Sequence, residues 1–156
     1  MNAIETNPLI WGYGPGPSDA VVDTADWICL KNAKGAWIYI TEIGNNATDL
    51  VLTVHEGTTN TGTTALTTGA EFQIYHNLLT TTADTYTKAT DAVTYTIVHT
   101  AVAKIIAFYI DAAILSAGYD WIQLGTSGGH ATNIVSVHYQ LVGSRYQQAA
   151  PPTAIA

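Results

Sequence analysis

The sequence predicts an all-β fold: an antiparallel β-sandwich or jelly-roll-like body with extended arms at both ends. Three observations predict it. Threonine, valine, isoleucine and tyrosine dominate the middle of the chain, and these side chains suit a pleated, half-buried surface. Apolar residues there recur with a period of two. The periodic runs are short and separated by turn residues, as in an antiparallel sandwich and unlike a parallel sheet alternating with helices.

Residues 1–26 read as an extended N-terminal arm. They hold Pro8, Pro15 and Pro17 and the run Trp11-Gly12-Tyr13-Gly14-Pro15-Gly16-Pro17. Proline removes backbone donors and glycine adds backbone entropy, so this run is neither helix nor central strand. Residues 27–142 read as the folded body. Its first strands are expected at Trp27–Lys31 and Ala36–Ile43, followed by the turn Gly44-Asn45-Asn46. In Leu50-Val51-Leu52-Thr53-Val54-His55, the residues Leu50, Leu52 and Val54 share a face. Thr/Gly-rich residues 57–69 and the similar residues 80–91 read as surface loops or edge strands, with a strand Phe72–His76 between them. In Val93–His99, Val93, Tyr95 and Ile97 face inward and the threonines outward. Ile105–Asp111 and Tyr119–Leu124 are further strands, and a turn or two of helix is expected at Ala112–Ala117 between them. Ser127-Gly128-Gly129 is a turn, and Val135–Leu141 alternates most cleanly. Residues 143–156, without periodicity, form a C-terminal arm.

The chain has 156 residues, which is one domain of ordinary size. Charged residues make up only 11%, against about 25% in typical globular proteins. So few charges point to a surface largely covered by something else. Five Lys and Arg against twelve Asp and Glu leave a net charge of −7. That balance lacks the cationic footprint that nucleic acid or an anionic membrane would need. No apolar run reaches the ~18 residues of a membrane helix. Met1–Pro8 lacks the basic and apolar regions of a signal peptide, which predicts synthesis and folding in a cytoplasm. The single cysteine, Cys29, reads as a buried reduced thiol.

No residues announce a reaction. His55, His76, His99, His130 and His138 show no His-x-x-x-His spacing, and no Cys-x-x-Cys pair exists, so no metal or cofactor is expected. Gly125-Thr126-Ser127-Gly128-Gly129-His130 has the wrong spacing for a nucleophile elbow. Gly12-x-Gly14-x-Gly16 neither follows a strand nor opens a helix, so it is not a dinucleotide loop. Asp23, Asp26, Asp84 and Asp91 read as turn or cap residues. Most aromatic residues of the body read as core or cross-strand packing. Trp11 and Tyr13, in an arm with no core of its own, read as anchors that insert into a neighbour or fold back on the body.

The order of segments in the body and C-terminal arm resembles the head decoration, or cement, proteins of tailed bacteriophages. The resemblance rests on Trp27-Ile28-Cys29-Leu30-Lys31-Asn32 followed by Ala36-Trp37-Ile38-Tyr39-Ile40, then Val51–Glu56 and Gly62-Thr63-Thr64-Ala65-Leu66. It continues through Ile110-Asp111-Ala112-Ala113-Ile114-Leu115 and Gly118-Tyr119-Asp120-Trp121-Ile122-Gln123-Leu124. It ends with Tyr139-Gln140-Leu141, Ser144-Arg145-Tyr146 and Pro151-Pro152-Thr153-Ala154-Ile155. The resemblance covers residues 27 to 156 and leaves the first arm unmatched. It implies a non-enzymatic β-sandwich protein of the virion, commonly trimeric, on the outer capsid surface. There it would staple major capsid protein subunits together. Trp11, Tyr13, Arg145 and Tyr146 are the candidate partner-binding residues, Arg145 either pairing with a carboxylate at an interface or standing as a plain surface residue. Two alternatives stay open. One is a glycan- or cell-surface-binding sandwich of the virion, with Trp11, Tyr13 or Trp121 stacking on sugars. The other is a jelly-roll hydrolase using histidines such as His99 or His138.

Overall fold

The computed structural model describes residues 7–21, 24–44, 46–62, 64–67, 69–80, 82–98, 100 and 102–143. The C-terminal arm beyond Gly143, with Arg145 and Tyr146, lies outside the described residues, as does His99.

Alternation of apolar and polar side chains turns one face of each strand inward, and two such faces bury each other. The result is an all-β antiparallel sandwich. The strands are β1 (Leu9–Pro17), β2 (Ile28–Cys29), β3 (Gly35–Ile43), β4 (Leu50–Gly57), β5 (Thr64–Ala65) and β6 (Gln73–Asn77). The second half supplies β7 (Thr87–Lys88), β8 (Thr94–Ile97), β9 (Lys104–Asp111), β10 (Trp121–Gly128) and β11 (Ile134–Val142). One sheet has six strands in the order β1-β11-β3-β9-β6-β7. The other runs β2-β10-β4-β5, with β8 also pairing along β4. Most connections cross from one sheet to the other, so most pairings join residues far apart in sequence.

The core lies between the sheets. Ile38, Ile40, Ile106, Phe108, Ile110, Val135, Val137 and Tyr139 come from the larger sheet, and Leu52, Val54, Ile122 and Leu124 from the smaller. Phe72 packs on Phe108 with ring centroids 4.8 Å apart. Tyr139 crosses the whole interior. It is completely buried, and its hydroxyl accepts the Leu124 backbone N–H at 3.0 Å. Burial pushes the Tyr139 phenol far above its ordinary range, the Leu124 N–H partly opposing this, so the group stays a neutral hydroxyl.

Several expectations change in detail. Of the segment read as an arm, Leu9–Pro17 lies along β11 as an edge strand, paired from Leu9↔Gln140 to Pro17↔Ile134 with two register shifts. An edge strand pairs on one side only, which is where a sheet tolerates proline and bulges. The helix expected at Ala112–Ala117 is a single 3-10 turn, Ala112–Ile114, capped by Asp111, whose carboxylate accepts the Ala113 N–H at 2.9 Å. The Glu56 carboxylate then holds Ser116 through its N–H at 2.8 Å and through its hydroxyl, and this anchor stops the turn from propagating. The strand expected at Trp27–Lys31 keeps only Ile28–Cys29, because Ala33 N–H turns back to the Leu30 carbonyl at 2.9 Å. Cys29 is free and half-buried, not fully buried, since β2 is an edge. The Thr/Gly-rich segments supply the two-residue edge strands β5 and β7.

Candidate functional site

The surface that differs most from an ordinary protein exterior is the outer face of the six-stranded sheet. Strand alternation sends Trp37, Tyr39, Thr41 and Ile43 of β3 outward while Ala36, Ile38, Ile40 and Glu42 point inward. By the same alternation β11 presents Ile134, Ser136, His138 and Gln140, and β9 presents Ile105, Ala107 and Tyr109. The ladder places these side chains in rows across the sheet. One row runs Leu9, Gln140, Trp37, Tyr109, Gln73. The next runs Trp11, His138, Tyr39, Ala107, Tyr75. Over β1, β11, β3, β9 and β6 the one charged outward position among the described residues is Asp111, at a corner and engaged as the cap described above.

Trp37 organises the middle of this face. Its ring lies 5.2 Å from Tyr109, 5.6 Å from Tyr75 and 6.1 Å from Tyr39. Tyr75 stands two strands away, so the indole must reach over β9. The residue beneath is Ala107, the small member of its row, which is buried although it faces outward. Tyr39 donates its hydroxyl to Gln140 Oε1 at 3.1 Å, and Tyr75 donates to Gln73 Oε1 at 3.3 Å. Burial raises the Tyr39 phenol, Tyr86 adding to the effect. Burial also raises that of Tyr109, with the Asp111 carboxylate adding to it.

Trp11 flanks the cluster, its ring edge-on to His138 with centroids 4.6 Å apart. It remains 53% exposed, and its neighbour Leu9 62%. Of the residues singled out in the sequence, Trp11 therefore folds back on the body and still offers most of its ring outward. Tyr13 does not join it. Tyr13 packs against the core, and its hydroxyl reaches the Pro17 carbonyl at 3.5 Å. Trp121 lies on the other sheet, opposite Cys29 and Gly57.

Burial holds the His138 imidazole below its ordinary value. The unfolded chain therefore takes up this proton first as pH falls. Stability contributed here is intact above about pH 6.5, then declines down to the lowered folded value and levels off below it. Thermal unfolding of His138→Gln against the parent across this window should remove that part of the decline. Parallel curves for the two proteins would show that His138 titrates normally.

His76 and His130 each bond locally. His76 Nδ1 meets the Tyr95 hydroxyl at 2.6 Å, bridging the two sheets. His130 Nδ1 accepts the Thr132 N–H at 3.2 Å within its own turn. A cavity of about 280 Å³ beside His76 is lined by Leu78, Leu79, Ala83, Thr85 and Thr87 among others. Its described lining brings no carboxylate and no second base to the imidazole. Among the described residues, no group of three His, Cys, Asp or Glu side chains could hold a metal ion. No helix among them is long and apolar enough to cross a membrane.

Sequence reasoning placed Trp37, Tyr39, Tyr75 and Tyr109 in strands without distinguishing them from core. The available signal was Trp37 and Tyr39 alternating with Ala36, Ile38 and Ile40 in β3. A strand apolar on both sides must cover two faces. Comparison of the chain with protein-family models, with curated proteins and with solved structures finds no match.

Proposed function

We propose that this chain is an adhesive structural protein that works by covering and joining other protein surfaces. In this reading it is a capsid cement protein of a tailed bacteriophage, acting on the outer surface of the virion as a homo-oligomer bound to major capsid protein. The observation that carries the reading is the charge-poor aromatic outer face of β1, β11, β3, β9 and β6, bounded by Asp111 at one corner and by Lys88 on β7. Charge depletion with tryptophan and tyrosine enrichment is the chemistry of the buried centre of a protein interface. Trp37 is tilted against Tyr109 and Tyr75 by 49° and 57° and lies within 19° of parallel to Tyr39, so these rings pack on one another in the middle of the face.

Chain geometry adds a second support. The Gln140 amide donates to the Asn7 carbonyl at 3.4 Å, and Val142 pairs with Gly35. Both ends of the described chain thus reach one pole of the sandwich, beside the Leu9–Trp37 row. A molecule whose described ends meet at one pole is suited to gripping a lattice from that side. A clip that binds the assembled lattice and not its free subunits stabilises the assembled state by mass action. Many copies on a repeating surface multiply weak contacts.

The test uses purified protein with expanded capsids and, separately, free capsid subunits. Binding to capsids alone is expected, and decorated particles should release less DNA on heating. A chain truncated after Gly143 should bind capsids at least about tenfold more weakly while keeping its unfolding temperature. Equal binding to free subunits, or none to capsids, would end this reading.

A further inference from the structure

We infer that the outer face of the six-stranded sheet seats a second copy of this chain, sheet against sheet, across a twofold axis. The inference rests on reading that face as a protein interface and names its occupant.

Charge argues for a second copy. A different protein that recognises a chain of net charge −7 gains by placing cations opposite its carboxylates, and carboxylates would then mark the contact. A second copy brings the same excess of carboxylates, and burying them against each other is costly. Two copies can therefore close only through a surface free of charge. Across five strands of the larger sheet the described outward positions meet that condition, apart from Asp111 at a corner, and the face is bounded by Lys88, which stands beside Tyr75 on β7 and pairs with Asp91 at 3.2 Å.

Area agrees. Five strands at about 4.8 Å and about eight residues at about 3.3 Å give a face of about 24 by 26 Å. That is about 600 Å² on each copy and about 1,200 Å² for the pair, the lower end of the range for stable, specific interfaces. Strand order supplies self-complementarity. β3 is the middle of the five strands β1-β11-β3-β9-β6. A twofold axis lying between the two sheets and running along β3 lays β1 of each copy over β6 of the other. The exposed Leu9 and Trp11 then meet the Gln73–Tyr75 edge, and the Trp37–Tyr39 region meets its own copy at the axis. Such a contact is isologous and closes with two chains. It differs from the trimer that the family resemblance implies.

Light scattering on the purified full-length chain, without capsids, tests this. A mass of two chains is expected at micromolar concentration. Thr41→Arg places a cation on an exposed position near the axis, and Gln73→Arg places one on an exposed edge position. Each should raise the dissociation constant at least about tenfold and leave the unfolding temperature of the dissociated chain unchanged. Thr96→Arg, the same change on an exposed position of β8 in the other sheet, should leave the pair intact. In a Cys29→Ser background, Thr41→Cys should cross-link into covalent pairs and Thr96→Cys should not. A single-chain mass throughout, a three-chain mass, or a pair indifferent to both face variants would overturn the inference. The two readings fail separately. A single chain that still decorates capsids sinks only the second copy, and a pair that ignores capsids sinks only the cementing role.

Discussion

Lys104→Ala should lower the unfolding free energy by about 3–5 kcal/mol, the range for removing one member of a buried ion pair. Lys104 begins β9 and points inward, where its side chain is 3% exposed and that of Glu42 1%. The ammonium stands 3.6 Å from a Glu42 carboxylate oxygen. At that distance the pair is a charge contact more than a tight hydrogen bond. The closer bonds go elsewhere: Nζ donates to the Thr100 and Val102 carbonyls, each at 3.0 Å. The one cation therefore neutralises a buried carboxylate and ties the segment before β9 to the sheet end. Alanine would take the Lys104 cation from beside Glu42 and a charged donor, worth about 1.5–3 kcal/mol per bond, from the Val102 carbonyl, while the Thr100 carbonyl keeps the Val102 N–H at 2.7 Å. Lys104→Met combined with Glu42→Leu should recover much of the loss, because an apolar pair of similar volume removes the stranded charge as well. Denaturant unfolding of the two single variants and the double variant measures the coupling. A loss below about 1 kcal/mol for Lys104→Ala would mean that water reaches this end of the sandwich and solvates Glu42.

This pair was not legible in the sequence, whereas the strands that carry it were. β4 and β11 alternate so plainly that their inner faces follow from Leu50, Leu52 and Val54 and from Val135, Val137, Tyr139 and Leu141. Alternation says which residues share a face, but it cannot say which face is inner when both are apolar. β3 has that ambiguity, with Ala36, Ile38 and Ile40 on one side and Trp37 and Tyr39 on the other. Only the ladder, which sets Tyr39 between His138 and Ala107, makes the aromatic side the outer one. Glu42 and Lys104 sit opposite each other by register, a long-range fact with no local signature. The candidate surface was partly legible. Trp11 stood out because its segment has no core of its own, while its neighbours on the face came from strands whose cross-chain order no local pattern encodes.

Gly12→Val should detach β1 and destabilise the protein by about 1–3 kcal/mol, the usual effect of overpacking. A Cβ on Gly12 would stand 2.5 Å from Tyr139 Cε2, 3.0 Å from Cδ2 and 3.1 Å from a Val137 methyl. A flexible neighbour could swing away, but Tyr139 cannot. It is fully buried and tethered through its hydroxyl to the Leu124 N–H on the opposite sheet. β1, held along one edge only, is the element that must yield. The Gly12 carbonyl also accepts the Asp26 N–H at 2.8 Å, so the crossing toward β2 loosens with it. The glycines read in the sequence as part of an extended arm that is neither helix nor central strand are thus, at position 12, what lets an edge strand lie against a tyrosine. Gly14→Ala is the matching control, since a Cβ there meets Trp11 Nε1 at 3.4 Å, an ordinary contact, and should change stability little. Hydrogen exchange should show the β1 amides of Gly12→Val losing protection while β3 and β9 retain theirs. Trp11 fluorescence should shift toward that of a solvated indole. Unchanged protection across β1 in Gly12→Val would show that Tyr139 can move, and the seam between β1 and the core would then be softer than its packing implies.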